Sequence, residues 1–263
     1  MFANYHTHTA RCRHAIGTEE EYVEVAISRG LKVLGFSDHT PYFYDGIYTS
    51  GSKMATSEID GYFKTLLALK EKYKNKIEIK IGFETEYYPA FFERLLEEYR
   101  KYPLDYIILG QHFTGNECTV GSLNSFLPTK ERSHLTAFVN QCTEALETGR
   151  FTYFAHPDCF NFVPKSDEDK EFLSYEYERL IRAAMRTDSP IEINLCGVRH
   201  GRYYPRDLFW SVAGRLKAKT VIGCDAHAPS EVASEKDLFV AYELVKKHSL
   251  NLVDSFPLKN PCF

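Results

Sequence analysis

The run Asn4-Tyr5-His6-Thr7-His8-Thr9 sets two histidines two residues apart in an alternating stretch. On a strand the side-chain period is two, so His6 and His8 share a face, side by side, as chelating ligands must. One such pair is more often a polar strand edge than a metal site, so its meaning depends on later partners. They arrive as Ser37-Asp38-His39, Gly82-Phe83-Glu84, Gln111-His112, His156-Pro157-Asp158 and Asp225-Ala226-His227, each at the end of a short run suited to a buried strand. His14 lies just beyond the opening run. Seven of the ten histidines, His6, His8, His14, His39, His112, His156 and His227, therefore fall at or past expected strand ends. His134 and His248 fall in helices, and His200 in a later loop. With Glu84 and Asp225 the set has nine members. Several neutral imidazoles and carboxylates gathered without a cation would leave unpaired acceptors and repelling charges, which a metal cluster resolves. Nine ligands exceed the needs of one zinc or manganese and leave open positions for water and substrate across two or three ions. Glu84, with two oxygens, is the natural bridge.

Positioning these residues takes a repeating scaffold. Thr18-Glu19-Glu20-Glu21 has the capping-box pattern and starts a helix that closes at Gly30. Further helices are expected over 59–73, 89–102, 131–148, 166–186, from Pro205 onward, and over 230–247. Strands are expected over 4–9, 31–36, 77–81, 106–110, 151–155, 191–195 and 220–224. Strands alternating with helices imply a parallel sheet, each helix returning the chain to the same edge. An open doubly wound sheet would gather ligands at one switch point, whereas here polar residues recur at almost every carboxyl end. The expected fold is therefore α/β, a closed or nearly closed TIM-like barrel with its active site at the carboxyl ends of the strands. The loop from Pro41 to about Ser57 is long enough to be a lid or substrate loop.

With 263 residues, 44% hydrophobic and 26% charged, and no low-complexity tract or long linker, residues 1–263 read as a single domain. The 32 basic and 36 acidic residues are mixed throughout, which argues against a nucleic-acid partner. The expectation is a cytoplasmic protein, because neither a membrane-length apolar run nor a signal-peptide pattern is present. Seven cysteines without a CxxC pair fit reduced thiols, and no chemistry is assigned to them.

The ordered set His6-Thr7-His8, Ser37-Asp38-His39, Glu84, His112, His156 and Asp225-Ala226-His227 resembles the PHP (polymerase and histidinol phosphatase) superfamily over nearly the full length. The resemblance implies a distorted (β/α)7 barrel and a trinuclear centre. One ion would be held by His6, His8, Glu84 and Asp225, a second by Glu84, His112 and His156, and a third by His14, His39 and His227. A barrel of this length with no polymerase or helix-hairpin modules looks like the histidinol-phosphate phosphatase branch. That branch implies hydrolysis of the monoester L-histidinol phosphate to L-histidinol and phosphate in histidine biosynthesis, with three divalent ions as cofactors; histidine and carboxylate ligands admit zinc, manganese and iron alike.

The expected chemistry is in-line attack by a hydroxide bridging two ions. The loop after the sixth strand, Gly197 to Arg202, carries no ligand and suits the phosphate. Arg199 is expected to clamp it, with His200 as proton donor to the leaving alcohol, although a surface Arg-His pair is an equal alternative. Asp38 and Asp158 adjoin ligands and could orient those ligands, relay protons, contact substrate or simply cap loops. Glu117, in a turn after the fourth strand, could receive the substrate amine. Two other readings share the ligand pattern: a PHP phosphoesterase acting on phosphotyrosine, nucleotide or oligonucleotide, and a noncatalytic metal-stabilised binding domain.

Overall fold

Thr18 and Glu21 form the reciprocal cap their spacing predicts: the Thr18 hydroxyl accepts from the Glu21 N–H at 3.3 Å, and the Glu21 carboxylate accepts from the Thr18 N–H at 2.6 Å. The computed structural model describes residues 1–44 and 48–263. Its elements run β1 (Ala3–Asn4), α1 (Glu19–Ser28), β2 (Val33–His39), α2 (Ile59–Tyr73), β3 (Glu78–Thr85), α3 (Pro89–Tyr99), β4 (Tyr106–Leu109), the hairpin strands β5 (Phe113–Thr114) and β6 (Leu123–Asn124), α4 (Arg132–Glu147), α5 (Asp167–Arg186), β7 (Ile191–Asn194), α6 (Leu195–Arg199), α7 (Asp207–Leu216), β8 (Lys219–Gly223), α8 (Glu235–His248) and β9 (Asn251–Leu252). Residues 45–47 of the loop after β2 lie outside the described residues.

The result is a mixed α/β fold on a curled parallel sheet. Strands β1 to β4 are neighbours in chain order, and β7, β8 and β9 form a second parallel group. Single-residue parallel bridges, Leu109 to Phe154 and Phe154 to Ile191, connect the two groups, and Thr7 bridges Ala226 on the opposite side. The expected strand over 151–155 is thus reduced to the bridging residue Phe154. The chain leaves it at His156, whose φ is +32°, just before Pro157. The opening strand is likewise shorter than expected, while β2 and β3 run on through His39 and Glu84.

Two apolar clusters sandwich the sheet. Ile81 and Phe83 on β3 face the helices in the large outer cluster, together with Tyr62, Leu66, Phe92 and Leu95. Tyr106, Ile108, Tyr153, Ala155 and Val221 fill the inside of the curl. The tail, expected to be irregular, adds β9 and packs Val253, Phe256 and Leu258 against this inner cluster. Packing below and polar residues above fix one end of the sheet as the reactive one. Among the described residues no helix is long and apolar enough to cross a membrane.

Candidate metal centre

Strand alternation brings the nine predicted ligands to one end of the sheet. Glu84 lies at the centre of the cluster. It follows Gly82 by two residues on β3, facing inward, and its carboxylate fits there because Gly110, the residue just past the end of β4, has no side chain; a methyl group at that position would overlap it. Five imidazoles surround it: His156 Nε2 at 2.7 Å, His39 Nδ1 at 2.9 Å, His8 Nε2 and His112 Nε2 at 3.5 Å, and His6 Nε2 at 3.6 Å. Asp225 stands across from it, with Oδ1 at 3.1 Å from His8 Nε2 and 3.5 Å from His6 Nε2. His14, His39 and His227 gather beside this pair, the His14 and His227 rings stacking at 4.7 Å between centroids.

These contacts suit cations better than they suit one another. His6 Nε2, both ring nitrogens of His8, His156 Nδ1 and His227 Nε2 are buried without a hydrogen-bond partner, a costly state in a finished interior. Burial alone would raise the carboxyl groups of Glu84 and Asp225. The imidazoles outweigh it, His39, His112 and His6 for Glu84 and His6 and His8 for Asp225, and both stay well below the ordinary carboxylate range. Burial pushes His39 down to about 4 and His227 down to about 2 despite Glu84 and Asp225. These two imidazoles are held neutral, the form that ligates. Against burial, Glu192, Asp225 and Glu84 push His6 up to about 9, and Asp225 and Asp38 raise His8, so these rings hold protons that a divalent ion would displace. Imidazoles and carboxylates are the donors that zinc, manganese and iron accept, and the residues present fit divalent ions.

Three carboxylates stand behind the ligands, and two of them, Glu192 and Glu86, were not assigned from the sequence. Glu192 on β7 faces His6 Nδ1, Asp38 Oδ1 lies 3.5 Å from His8 Nδ1, and Glu86 Oε1 lies 3.3 Å from His112 Nδ1. Such partners set the tautomer and orientation of a ligating imidazole. Cys12, to which the sequence assigned no chemistry, joins His8 and His227 in a group whose ligand atoms all lie within 4.8 Å of one another.

The centre opens into a cavity of about 500 Å³ that is also lined by Lys53, Glu117, Phe126, His200, Arg202 and Tyr204. Glu117, expected to receive the substrate amine, and His200, expected as proton donor, therefore reach it. Glu117 is already engaged, accepting from Lys53 Nζ at 2.9 Å and from the Tyr44 hydroxyl at 2.8 Å. Lys53 in turn pairs with Glu86, which ties the loop after β2 to the metal-facing wall.

Three expected residues do not line the cavity. Arg199 turns away because Asn194 caps a short helix, its side chain accepting from the Gly197 N–H at 3.0 Å, where a loop was expected. On α6 the Arg199 guanidinium instead meets Glu231 at 3.0 Å and Asp237 at 3.1 Å. Arg202, three residues on, lines the cavity over the Phe126 ring. Asp158 is buried behind the centre and accepts from the Arg206 N–H at 2.5 Å. Burial pushes its carboxyl up to about 6, against the pull of Arg206. Asp38 is also fully buried, bonded to the Thr9 N–H and hydroxyl, so it supports His8 and does not touch substrate. Of the remaining histidines, His134 bonds Thr129 and His248 bonds Asp207, both away from the centre.

Comparison with known proteins agrees with this architecture. The PHP domain family model matches residues 4–196. The histidinol-phosphatase of Bacillus subtilis is 31% identical over 266 residues, covering 89% of this chain and 97% of that protein. A probable histidinol-phosphatase of Deinococcus radiodurans is 26% identical, covering 86% of each chain. The crystal structure of the histidinol phosphate phosphatase of Lactococcus lactis, complexed with zinc, L-histidinol and phosphate, shares the fold with a TM-score of 0.72 at 19% identity, covering 97% of both chains. On the strength of a family match across most of its length, the chain belongs to the PHP domain family.

Proposed function

We propose that the protein is a metal-dependent phosphatase that hydrolyses L-histidinol phosphate to L-histidinol and phosphate. The observation that carries the reading is the gathering of seven histidines with Glu84 and Asp225, five of those histidines and both carboxylates lining one open cavity and His6 and His8 buried beneath it, in a chain whose relatives over most of their length are named histidinol-phosphatases. We read the two parallel strand groups and the bridges between them as a distorted (β/α)7 barrel, with Phe154 standing for the fifth strand.

His6, His8, Glu84 and Asp225 would hold one ion, Glu84, His112 and His156 a second, and His14, His39 and His227 a third. When bound, divalent ions supply a nucleophile from water near neutral pH and neutralise charge on the phosphoryl oxygens. The side chains above them do the rest. Arg202 takes the phosphate role expected of Arg199, since a planar guanidinium presents paired donors to phosphate oxygens. His200, at the end of α6 and lining the same cavity, would give a proton to the departing alkoxide. Glu117, on the wall formed by the β5–β6 hairpin and the loop after β2, offers a carboxylate to the substrate amine. Phe126 and Tyr204 line the cavity beside His112 and His156 and would limit water around the ester.

The reading makes a direct prediction about metal. Phosphate release from histidinol phosphate should disappear after treatment with a strong chelator and return when zinc or manganese is added back. Turnover that persists in protein shown by elemental analysis to be metal-free would refute it.

A further inference from the structure

Strand β7 supplies none of the nine expected ligands, yet its inward face is polar. Glu192 and Asn194 alternate there with Ile191 and Ile193, and all four are buried. The Glu192 carboxylate has no solvent exposure, with Oε2 at 2.9 Å and Oε1 at 3.2 Å from His6 Nδ1. Its Oε1 also accepts from Asn194 Nδ2 at 2.8 Å and from the His156 N–H at 3.4 Å. The same Asn194 Nδ2 donates to Asp225 Oδ2 at 3.0 Å. One strand thus grips His6, His156 and Asp225, three of the nine residues.

The neighbouring strand makes room for this arrangement. Gly223 on β8 pairs with Asn194, and a methyl group at Gly223 would overlap Glu192 Oε2. A fully buried carboxylate is costly unless its partners hold it, and Glu192 is held by His6 and by donors that touch other members of the cluster. With Nδ1 turned to Glu192, Nε2 of His6 is the atom that faces Glu84 and Asp225, and it has no hydrogen-bond partner. A carboxylate that holds the Nδ1 proton leaves Nε2 as the nitrogen able to ligate.

We infer that Glu192 is a positioning residue that, with Asn194 and the space left by Gly223, fixes His6 with Nε2 bare toward the metal position. The inference rests on the metal-dependent reading above. Glu192→Gln keeps the side-chain shape but removes the charge and places an amide against Asn194 Nδ2 or His6. Gly223→Ala alters no ligand and displaces Glu192 sterically.

The test measures zinc affinity by competition with a chelator, kcat and KM at several zinc concentrations, and the melting temperature of the metal-free proteins. Either variant should bind zinc roughly 10- to 100-fold more weakly, recover kcat as zinc is raised, and leave KM little changed. The double variant should be no worse than the weaker-binding single variant, because both act through one carboxylate. Wild-type zinc affinity in Glu192→Gln, with only a lowered melting temperature, overturns the inference by reducing Glu192 to a packing role. If Glu192→Gln does not fold, wild-type affinity in Gly223→Ala overturns it instead. Wild-type protein that takes up no zinc, manganese or iron would sink the metal reading itself, an outcome distinct from a variant that matches a metal-loaded wild type.

Discussion

Glu84→Gln should lower kcat/KM by at least about a thousandfold and release bound metal, because the loss of a ligand charge worth several kcal/mol corresponds to about three decades in rate. Five imidazoles approach this carboxylate, the nearest two at 2.7 and 2.9 Å. Glutamine has the same outline, so the buried pocket beside Gly110 stays filled and the fold is not at risk from a cavity. What changes is the chemistry: one acceptor oxygen becomes an NH2 group aimed at ring nitrogens, and the negative charge is gone. If Glu84 bridges two ions as proposed, binding of both should weaken together. Parallel elemental analysis and steady-state kinetics check this. Full metal content with wild-type turnover would remove Glu84 from the centre.

Lys53→Met should cost about 3 kcal/mol of stability, since removing one partner from a buried ion pair strands the other. The Lys53 ammonium is 5% exposed and its carboxylate partners Glu86 and Glu117 are each 2% exposed. Burial would raise the Glu86 carboxyl, but Lys53 and His112 outweigh it and hold it down at about 2. A folded-state value below the unfolded value of about 4.3 means that the stabilisation is present above that pH and fades as pH falls toward 2. The melting temperature of Lys53→Met should therefore lie roughly 6–12 °C below wild type at pH 7, and the gap should narrow by pH 3.5. Thermal unfolding at the two pH values measures it. A gap that is small at pH 7, or that grows on acidification, would contradict the pairing.

Most of the metal-facing cluster was readable from sequence because β-strand geometry is simple. His6 and His8 share a face through a period of two, and a polar residue directly after an apolar run on a parallel strand ends up at the sheet's carboxyl end. The same parity could have exposed two residues that were passed over. Glu86 continues the alternation of Gly82 and Glu84, and Glu192 is a charge inside a run that otherwise reads as buried. Arg199 failed for a different reason. Asn194 is a good helix cap, and one short helix rotates each successive side chain by about 100°, which sends Arg199 to Glu231 and Asp237, whereas Arg202 lies beyond the helix end, past Gly201 at φ +57°, and lines the cavity. Lys53 carried no local signal at all. Its partners are 33 and 64 residues away, joined only by the fold. Asp158 looked functional by adjacency to His156, but the turn at His156 directs it to the Arg206 backbone.

The central claim, a metal-dependent phosphatase selective for histidinol phosphate, is tested most directly by kcat/KM for the zinc- or manganese-loaded protein on histidinol phosphate, phosphotyrosine and a short 3′-phosphorylated oligonucleotide. The account predicts the highest value on histidinol phosphate, with the Arg202 wall receiving the phosphate and the Glu117 wall the amine. A higher value on phosphotyrosine or the oligonucleotide would contradict it.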